Sequence, residues 1–169
     1  MIIICYDGSQ HAQAAADQAI RLFHDKPATV ITVREPHTKT LIDSGLGLGS
    51  GFGLNYERTA HTADVDAQLR ERAQQTAQEG ARRLRAAGMT ADWLVEERHG
   101  SVAKTVLATA GRIDAEAVVV GTRGRGETKS ALLGSVSRDL VQHANCAVLI
   151  VPSHALVGRH RKRRLPQAT

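Results

Sequence analysis

Five short apolar runs, each of a length suited to one β-strand, alternate along the chain with segments of helical periodicity. Most of the runs are continuous and rich in isoleucine or valine, which is typical of strands buried on both faces of a parallel sheet. Strands that alternate with helices favour βαβ units. The five predicted strands are Met1–Tyr6, Ala28–Val33, Thr90–Glu97, Ala115–Gly121 and Cys146–Pro152.

The segments between these runs carry apolar residues at helical spacing. The longest of them begins at Thr62, and Gly88 is placed to end it as a C-terminal cap. Ser101 is placed to cap a further helix. The other two helices cover Ala12–Phe23 and Gly134–Ala144. We therefore predict a single α/β domain over residues 1–152, a doubly wound parallel five-stranded sheet with helices on both faces. The pattern alone does not give the order of the strands.

The net charge of +5 is concentrated at the C-terminal end of the chain. Residues 153–169 include five basic and no acidic residues, and the rest of the chain has equal numbers of both. We predict that this segment is a solvated, disordered basic tail. Nucleic acid is not an expected partner, because aromatic residues, which stack on bases, make up only 3% of the chain.

The cysteines and the N-terminal residues favour a cytoplasmic protein. Cys5 and Cys146 both lie within apolar runs, which is typical of buried free thiols in a reducing compartment. The first apolar run ends at Asp7, too soon for a secretory signal or a membrane span. We expect no association with a membrane.

Residues 36–61 do not follow the alternating pattern. Glycine occupies every second position from Gly45 to Gly53, which does not support a helix, and loops of this length are uncommon unless functional or disordered. Two interpretations stay open, a mobile glycine-rich insertion and a lid over a nearby site. A dinucleotide fingerprint is excluded, because no register gives G-x-G-x-x-G opening into a helix.

Two glycine-containing elements after the fourth strand point to an anion site. Gly121–Gly124 forms a sharp turn at the end of the strand, and Arg125 adds a positive charge just beyond it. Gly134–Ser137 opens the last helix, where free N–H groups and the helix dipole attract anions. A simpler interpretation stays open, in which the glycines only make a turn and Ser135 is only an N-cap.

A P-loop NTPase is excluded by the residues between these elements. Counted from Gly121, the Walker pattern G-x-x-x-x-G-K-[ST] matches at Gly126 and then fails. Glu127 stands where a lysine must reach the phosphates, and its charge is opposite to the one required.

Taken together, Gly121, Gly124, Gly134 and Ser135 give the pattern G-x2-G-x9-G-[ST], which resembles that of the ATP-binding branch of the universal stress protein family. The resemblance covers most of residues 1–152. It includes the opening IIICYDGS, the second strand ending in ITVRE, and the closing GSVSRDLVQHANCAVLIVP. It implies the strand order 3-2-1-4-5, with ATP across the carboxyl ends of strands one and four, where the order reverses and leaves a crevice.

The resemblance also implies roles for individual residues. Asp7 would accept hydrogen bonds from the adenine or ribose side, although it could also begin a turn and cap the next helix. Val33 would border adenine, and Gly121–Gly124 would approach the ribose and phosphates. Ser135 would help to hold the phosphates and any Mg²⁺ bound with them. The expected ATP-binding residues are Cys5, Asp7, Val33, Gly121, Thr122, Arg123, Gly124, Arg125, Gly134, Ser135, Val136 and Ser137.

The implied protein is regulatory, a stress-response module that is at most a weak ATPase. Neither a Walker aspartate nor a metal-binding histidine pattern is visible in the sequence, so we expect slow or absent hydrolysis. The family usually dimerises, and the strand Cys146–Val151 is the expected homodimer edge. Two alternatives stay open, a nucleotide-free interaction module of the same fold and a flavin-binding or electron-transfer domain of similar topology.

Overall fold

The computed structural model describes residues 1–35, 55–124 and 133–152, and within these residues five strands alternate with four helices. The strands are β1 (Ile2–Cys5), β2 (Ala28–Arg34), β3 (Ala91–Glu97), β4 (Ala117–Gly121) and β5 (Ala147–Val151). The helices are α1 (Gln10–Leu22), α2 (Asn55–Ala86), α3 (Val102–Arg112) and α4 (Ser135–His143). No helix in the described ranges is long and apolar enough to cross a membrane.

All five strands pair in parallel, in the order β3-β2-β1-β4-β5, which confirms the predicted fold. The central strand is β1, and Ile2 lies opposite Ala28 of β2 on one side and Ala117 of β4 on the other. The chain adds strands first on the β2 side and then on the β4 side. This reversal leaves a crevice at the carboxyl ends of β1 and β4.

Successive side chains of β1 enter two different cores, one on each face of the sheet. Ile2 and Ile4 pack with α1 and α2, whereas Ile3 packs with α3 and α4. All three isoleucines are buried, and burial of a side chain of this size stabilises the fold by about 1.5–3 kcal/mol. The helices therefore cover both faces, as the continuous apolar runs predict.

Helix α2 begins at Asn55, earlier than the predicted start at Thr62, so the end of the predicted loop is helical. The sequence pattern misses this start because Asn55–His61 lacks an apolar stripe, the signal on which the prediction depends. The glycine-rich part of the predicted insertion, residues 36–54, and the basic tail, residues 153–169, lie outside the described residues. Their interpretations stay predictions.

The C-terminal end of α2 is capped at Gly88, as predicted. Gly88 has φ 89°, a conformation that favours glycine, and its N–H donates to the carbonyl of Arg85 at 2.9 Å. The N–H of Met89 donates to the carbonyl of Leu84 at 3.1 Å. This pair of bonds is a Schellman motif, which satisfies the last carbonyl groups of a helix.

The two cysteines are free, as predicted, but neither is fully buried. Cys5 is the last residue of β1 and lies beside the crevice, and Cys146 directly precedes the edge strand β5. The apolar runs indicate strand residues but do not indicate that both cysteines lie at strand ends, where the helices leave part of the surface uncovered.

Two helical glycines give a matched test of this packing. A Cβ atom at Gly80 of α2 would lie 2.9 Å from Tyr6 Cγ and 2.9 Å from Val30 Cγ1, whereas a Cβ at Gly111 of α3 would meet nothing within 4 Å. We expect Gly80→Ala to lower the free energy of unfolding by about 1–3 kcal/mol, because overpacking outweighs the better helix propensity of alanine. Gly111→Ala should leave it unchanged or raise it by up to ~1 kcal/mol. Urea unfolding measures both, and stabilisation by both substitutions would contradict the packing described here.

Candidate functional site

A cavity of about 540 Å³ lies in the crevice at the carboxyl ends of β1 and β4. One side is apolar and includes Val33 of β2, Val102 and Val106 of α3 and Val120 of β4. The other side is polar and is formed by the loop after β4 and the start of α4. An apolar surface with a few polar groups at one end is typical of sites for small molecules.

Every predicted site residue that the structure describes lines this cavity. They are Cys5, Asp7, Val33, Gly121, Thr122, Arg123, Gly124, Gly134, Ser135, Val136 and Ser137. Arg125, the remaining predicted residue, lies in the segment 125–132, outside the described residues.

The lining residues that sequence reasoning missed include Glu35, Val102 and Val106. Glu35 follows directly after β2, and the two valines lie in the first turns of α3. The helical pattern identifies the valines as core residues. The strand order is the signal that could have found all three, because it places the end of β2 and the start of α3 beside the same crevice.

Thr122 connects the two glycine-containing elements of the site. Its carbonyl oxygen accepts hydrogen bonds from the N–H of Gly134 at 2.8 Å and from the hydroxyl of Ser137 at 3.1 Å. Its N–H donates to the carbonyl of Val151 in β5 at 2.9 Å, and its hydroxyl lies 3.1 Å from Nδ1 of His11 in α1. A Cβ at Gly134 would lie 3.1 Å from the Thr122 carbonyl oxygen. The close approach of the two elements therefore favours glycine at that position.

The start of α4 presents backbone N–H groups that have no partner within the helix. Gly134 is the N-cap, with extended backbone angles of φ −63° and ψ 164°, and Ser135 is the first helical residue, so Ser135 is not the cap. The first intrahelical bond runs from the N–H of Arg138 to the carbonyl of Gly134 at 3.1 Å. The N–H groups of Ser135, Val136 and Ser137 precede that bond and have no intrahelical acceptor. These groups lie at the positive end of the helix dipole, beside the cavity.

Ser137 differs from Ser135 in what its hydroxyl does. Ser137 is only 1% exposed, and its hydroxyl is within donating distance of the carbonyls of Thr122 (3.1 Å) and Gly134 (3.0 Å). A serine hydroxyl carries one hydrogen, so this donor is already used within the protein. The Ser135 hydroxyl makes no hydrogen bond within the part of the chain that the structure describes. The Ser137 hydroxyl therefore already has acceptors within the protein, and the backbone N–H is the Ser137 donor that stays available to an anion.

Contacts within the protein require glycine at position 121 and favour it at position 124. A Cβ at Gly121 would lie 2.7 Å from the backbone carbon and oxygen of His11, too close for any side chain. A Cβ at Gly124 would lie 2.8 Å from Oδ2 of Asp7. The first glycine lets α1 approach the end of β4, and the second lets a carboxylate approach the loop that follows it.

Asp7 begins the turn that leads from β1 into α1. Its Oδ1 accepts a hydrogen bond from the N–H of Ser9 at 3.0 Å. Ser9, not Asp7, caps the helix, because the Ser9 hydroxyl accepts the N–H of Ala12 at 3.2 Å. The carboxylate therefore lies between the turn after β1 and the loop after β4, on the lining of the cavity.

Cys5 contributes a neutral group to the lining. Burial raises the pKa of its thiol to about 12, and the neighbouring Asp7 carboxylate adds to this rise. The thiol therefore stays protonated at neutral pH, and an unreactive thiol of this kind behaves as a small apolar side chain.

The end of β2 directs backbone hydrogen-bonding groups into the crevice. The N–H of Tyr6 donates to the carbonyl of Ile31 at 2.9 Å, so the backbone groups of Ile31 point towards β1. The N–H of Arg98 donates to the carbonyl of Arg34 at 2.8 Å, so the backbone groups of Arg34 point towards β3. The backbone groups of successive strand residues point to opposite sides. The N–H and C=O of Val33 therefore point to the side of β1, beyond the end of that strand. They place a donor and an acceptor next to each other on the apolar side of the cavity.

The charged side chains that line the cavity, within the described residues, are Asp7, Glu35 and Arg123. The part of the chain that the structure describes contains no group of three or more His, Cys, Asp or Glu side chains that could hold a metal ion.

A model of the universal stress protein family matches residues 1–152 of the chain. A universal stress protein of Thermus aquaticus is 30% identical over 156 residues, which cover 89% of this chain and 96% of that protein. A universal stress protein of Mycobacterium tuberculosis is 41% identical over 92 residues. That match covers 54% of this chain but only 27% of the mycobacterial protein.

Some solved structures of similar fold contain a nucleotide. The universal stress protein family protein of Arabidopsis thaliana with AMP bound has a TM-score of 0.61 at 12% identity, covering 92% of this chain and 93% of that one. The universal stress protein of Archaeoglobus fulgidus in complex with dAMP has a TM-score of 0.54 at 21% identity, covering 89% and 95%. At these identities the likeness concerns the fold.

The different hydroxyl contacts of Ser137 and Ser135 predict different effects on stability. We expect Ser137→Ala to lower the free energy of unfolding by about 1–2 kcal/mol, because it removes a buried donor to the Thr122 carbonyl. Ser135→Ala is the matched control, with an expected change within about 0.5 kcal/mol. Thermal or urea unfolding of the ligand-free protein measures both, and equal effects would mean that the Ser137 hydroxyl does not hold the two elements together.

Proposed function

The chain belongs to the universal stress protein family, and we propose that it is an ATP-binding member whose bound nucleotide serves regulation in the stress response, with slow or absent hydrolysis. The observation that carries this proposal is the division of one cavity into two sides. Its apolar side offers a paired backbone donor and acceptor, and its polar side offers the start of a helix.

The apolar side suits adenine. The N–H of Val33 can donate to the ring nitrogen N1, and the C=O of Val33 can accept from the amino group at position 6. Val102 and Val106 would cover the ring, and the neutral thiol of Cys5 adds no charge beside it. A flat, mostly apolar base with one polar edge matches a surface of this composition.

The polar side suits the phosphates. The N–H groups of Ser135, Val136 and Ser137 provide donors at the positive end of α4, and Arg123 provides a cation on the cavity lining. Arg125, beyond the described residues, is proposed to add a second cation. The Asp7 carboxylate lies between the two sides, where it can accept hydrogen bonds from ribose hydroxyl groups.

Magnesium would be held mainly by the nucleotide. Mg²⁺ prefers oxygen ligands and keeps several waters, so the phosphates, the Ser135 hydroxyl and water form a suitable set. That hydroxyl makes no hydrogen bond to another described residue, so it is available as a ligand. The ion would neutralise part of the phosphate charge.

The positions of the described carboxylates support slow or absent hydrolysis. A hydrolase needs a group that orients the attacking water at the terminal phosphate. Among the described cavity residues only Asp7 and Glu35 carry carboxylates. Asp7 is engaged with the N–H of Ser9, and Glu35 pairs with Arg98 at the end of β2. Neither carboxylate is placed at the start of α4, where the phosphates would lie.

A homodimer across β5 and a cytoplasmic location complete the proposal. Strand β5 lies at the edge of the sheet, and most of its residues are only partly covered. Val141 on the neighbouring α4 is 54% exposed. An apolar sheet edge of this kind needs a partner or protection, and a second copy of the chain would provide it.

Replacement of Ser135 tests the phosphate half of the proposal. The extended backbone of Gly134 accepts a following proline, and proline is favoured at the first helical position, so Ser135→Pro should fold normally while it removes one N–H donor and the hydroxyl. We expect the Kd for ATP, measured by calorimetry, to rise about tenfold or more. Ser135→Ala keeps the N–H and should raise the Kd by a smaller factor.

Adenosine is the control ligand, because it lacks phosphates and its affinity should be the same for all three proteins. An unchanged Kd for ATP in the Ser135→Pro variant would mean that the phosphates do not bind at the start of α4.

A further inference from the structure

We propose that Glu35 is a specificity-determining residue that selects a purine with an amino group at position 6 over one with a carbonyl oxygen there. Its carboxylate would accept a hydrogen bond from the amino group of the bound base. This inference rests on the proposed function, since it requires a nucleotide whose base lies against Val33.

Strand polarity places Glu35 on the correct side of the base. Along β2 the N–H of Val33 precedes its C=O, so the C=O is the group nearer to Glu35. The amino group at position 6 would therefore lie on the Glu35 side of the base edge. That amino group has two hydrogens, and the Val33 carbonyl can accept one of them. Glu35 lines the same cavity, so we assign its carboxylate as the acceptor for the second.

An ion pair fixes one oxygen of the Glu35 carboxylate and leaves the other available. Oε1 lies 2.9 Å from Nη1 of Arg98. Arg98 is itself held in place, because its backbone N–H donates to the carbonyl of Arg34 at 2.8 Å and extends the pairing of β2 with β3. Oε2 has no hydrogen-bond partner within the described residues. The side chain is half exposed, at 50%, so it can adjust to a ligand.

The neighbouring carboxylate of Glu97 is a natural comparison. It lies at the end of β3, is 40% exposed and pairs with Arg34, which also pairs with Asp66 of α2. Glu97 does not belong to the cavity lining. The chain therefore presents two carboxylates of similar exposure on adjacent strands, each paired with an arginine, and only one of them adjoins the proposed base site.

The chemistry of a carboxylate determines which base is favoured. An ionised carboxylate only accepts hydrogen bonds, so it favours the amino group of adenine and opposes the carbonyl oxygen of hypoxanthine or guanine. A site that is built to pair with a polar group discriminates against the analogue that lacks it. The Val33 backbone would also distinguish the bases, and Glu35 would add a second, separable contribution.

The test compares the Kd values of ATP and inosine triphosphate, which carries a carbonyl oxygen in place of the amino group. Calorimetry would be run on the unmodified protein and on the Glu35→Gln, Glu35→Ala and Glu97→Gln variants, with thermal melts to verify folding. We expect Glu35→Gln to lower the preference for ATP about fivefold, a modest factor because the side chain is half exposed. Glutamine can donate to the carbonyl oxygen, whereas alanine removes only the acceptor, so Glu35→Ala should lower the preference less.

The control and the ratio remove the general effect of charge. Loss of one negative charge strengthens the binding of both triphosphates equally, so it cancels in the ratio of the two Kd values. Glu97→Gln loses the same charge one strand away and should leave the ratio unchanged. If the unmodified protein binds ATP and neither Glu35 variant changes the ratio relative to Glu97→Gln, the role of Glu35 is overturned and the proposed function stands. If it binds neither nucleotide, the proposed function itself fails.

Discussion

The carbonyl oxygen of Thr122 holds the two elements on the polar side of the cavity together, because the N–H of Gly134 and the hydroxyl of Ser137 both donate to it. These bonds fix the loop after β4 against the first turn of α4 without any ligand. The N–H groups at the start of α4 are thus already directed towards the cavity. A site that is organised before binding loses less conformational entropy when a ligand arrives, so more of the interaction energy appears as affinity.

The position of the cavity follows from the central place of β1. Sheet order reverses at this strand, so β2 contributes the base side of the proposed nucleotide site and β4 contributes the phosphate side. A nucleotide would therefore contact both halves of the sheet. Thr122 also donates to Val151, which connects the phosphate side to the edge strand β5 and to any partner that pairs there.

The sequence predicts much of this fold and part of the site. What it predicts depends on local patterns, and what it misses depends on contacts between distant parts of the chain. Apolar runs identify the strands because a strand buried on both faces carries mostly apolar side chains, and the run around Val118 is a clear case. Strand order came only from the family resemblance, because local periodicity carries no information on which strands are neighbours. Glu35 and Val102 stayed hidden for the same reason, since they reach the cavity through that order. The hydroxyl contacts of Ser137 depend on a carbonyl fifteen residues away, which no local pattern reveals.

The melting temperature with and without ATP tests the central claim most directly, which is that this crevice holds a nucleotide between the two sides. A ligand that binds only the folded state at a hundred times its Kd stabilises it by about 2.7 kcal/mol. For a chain of this length that corresponds to a rise of about 5–10 °C. We predict a rise of this size at saturating ATP, in protein from which any co-purified nucleotide has first been removed. An unchanged melting temperature at millimolar ATP, with no nucleotide released from the purified protein, would contradict the account.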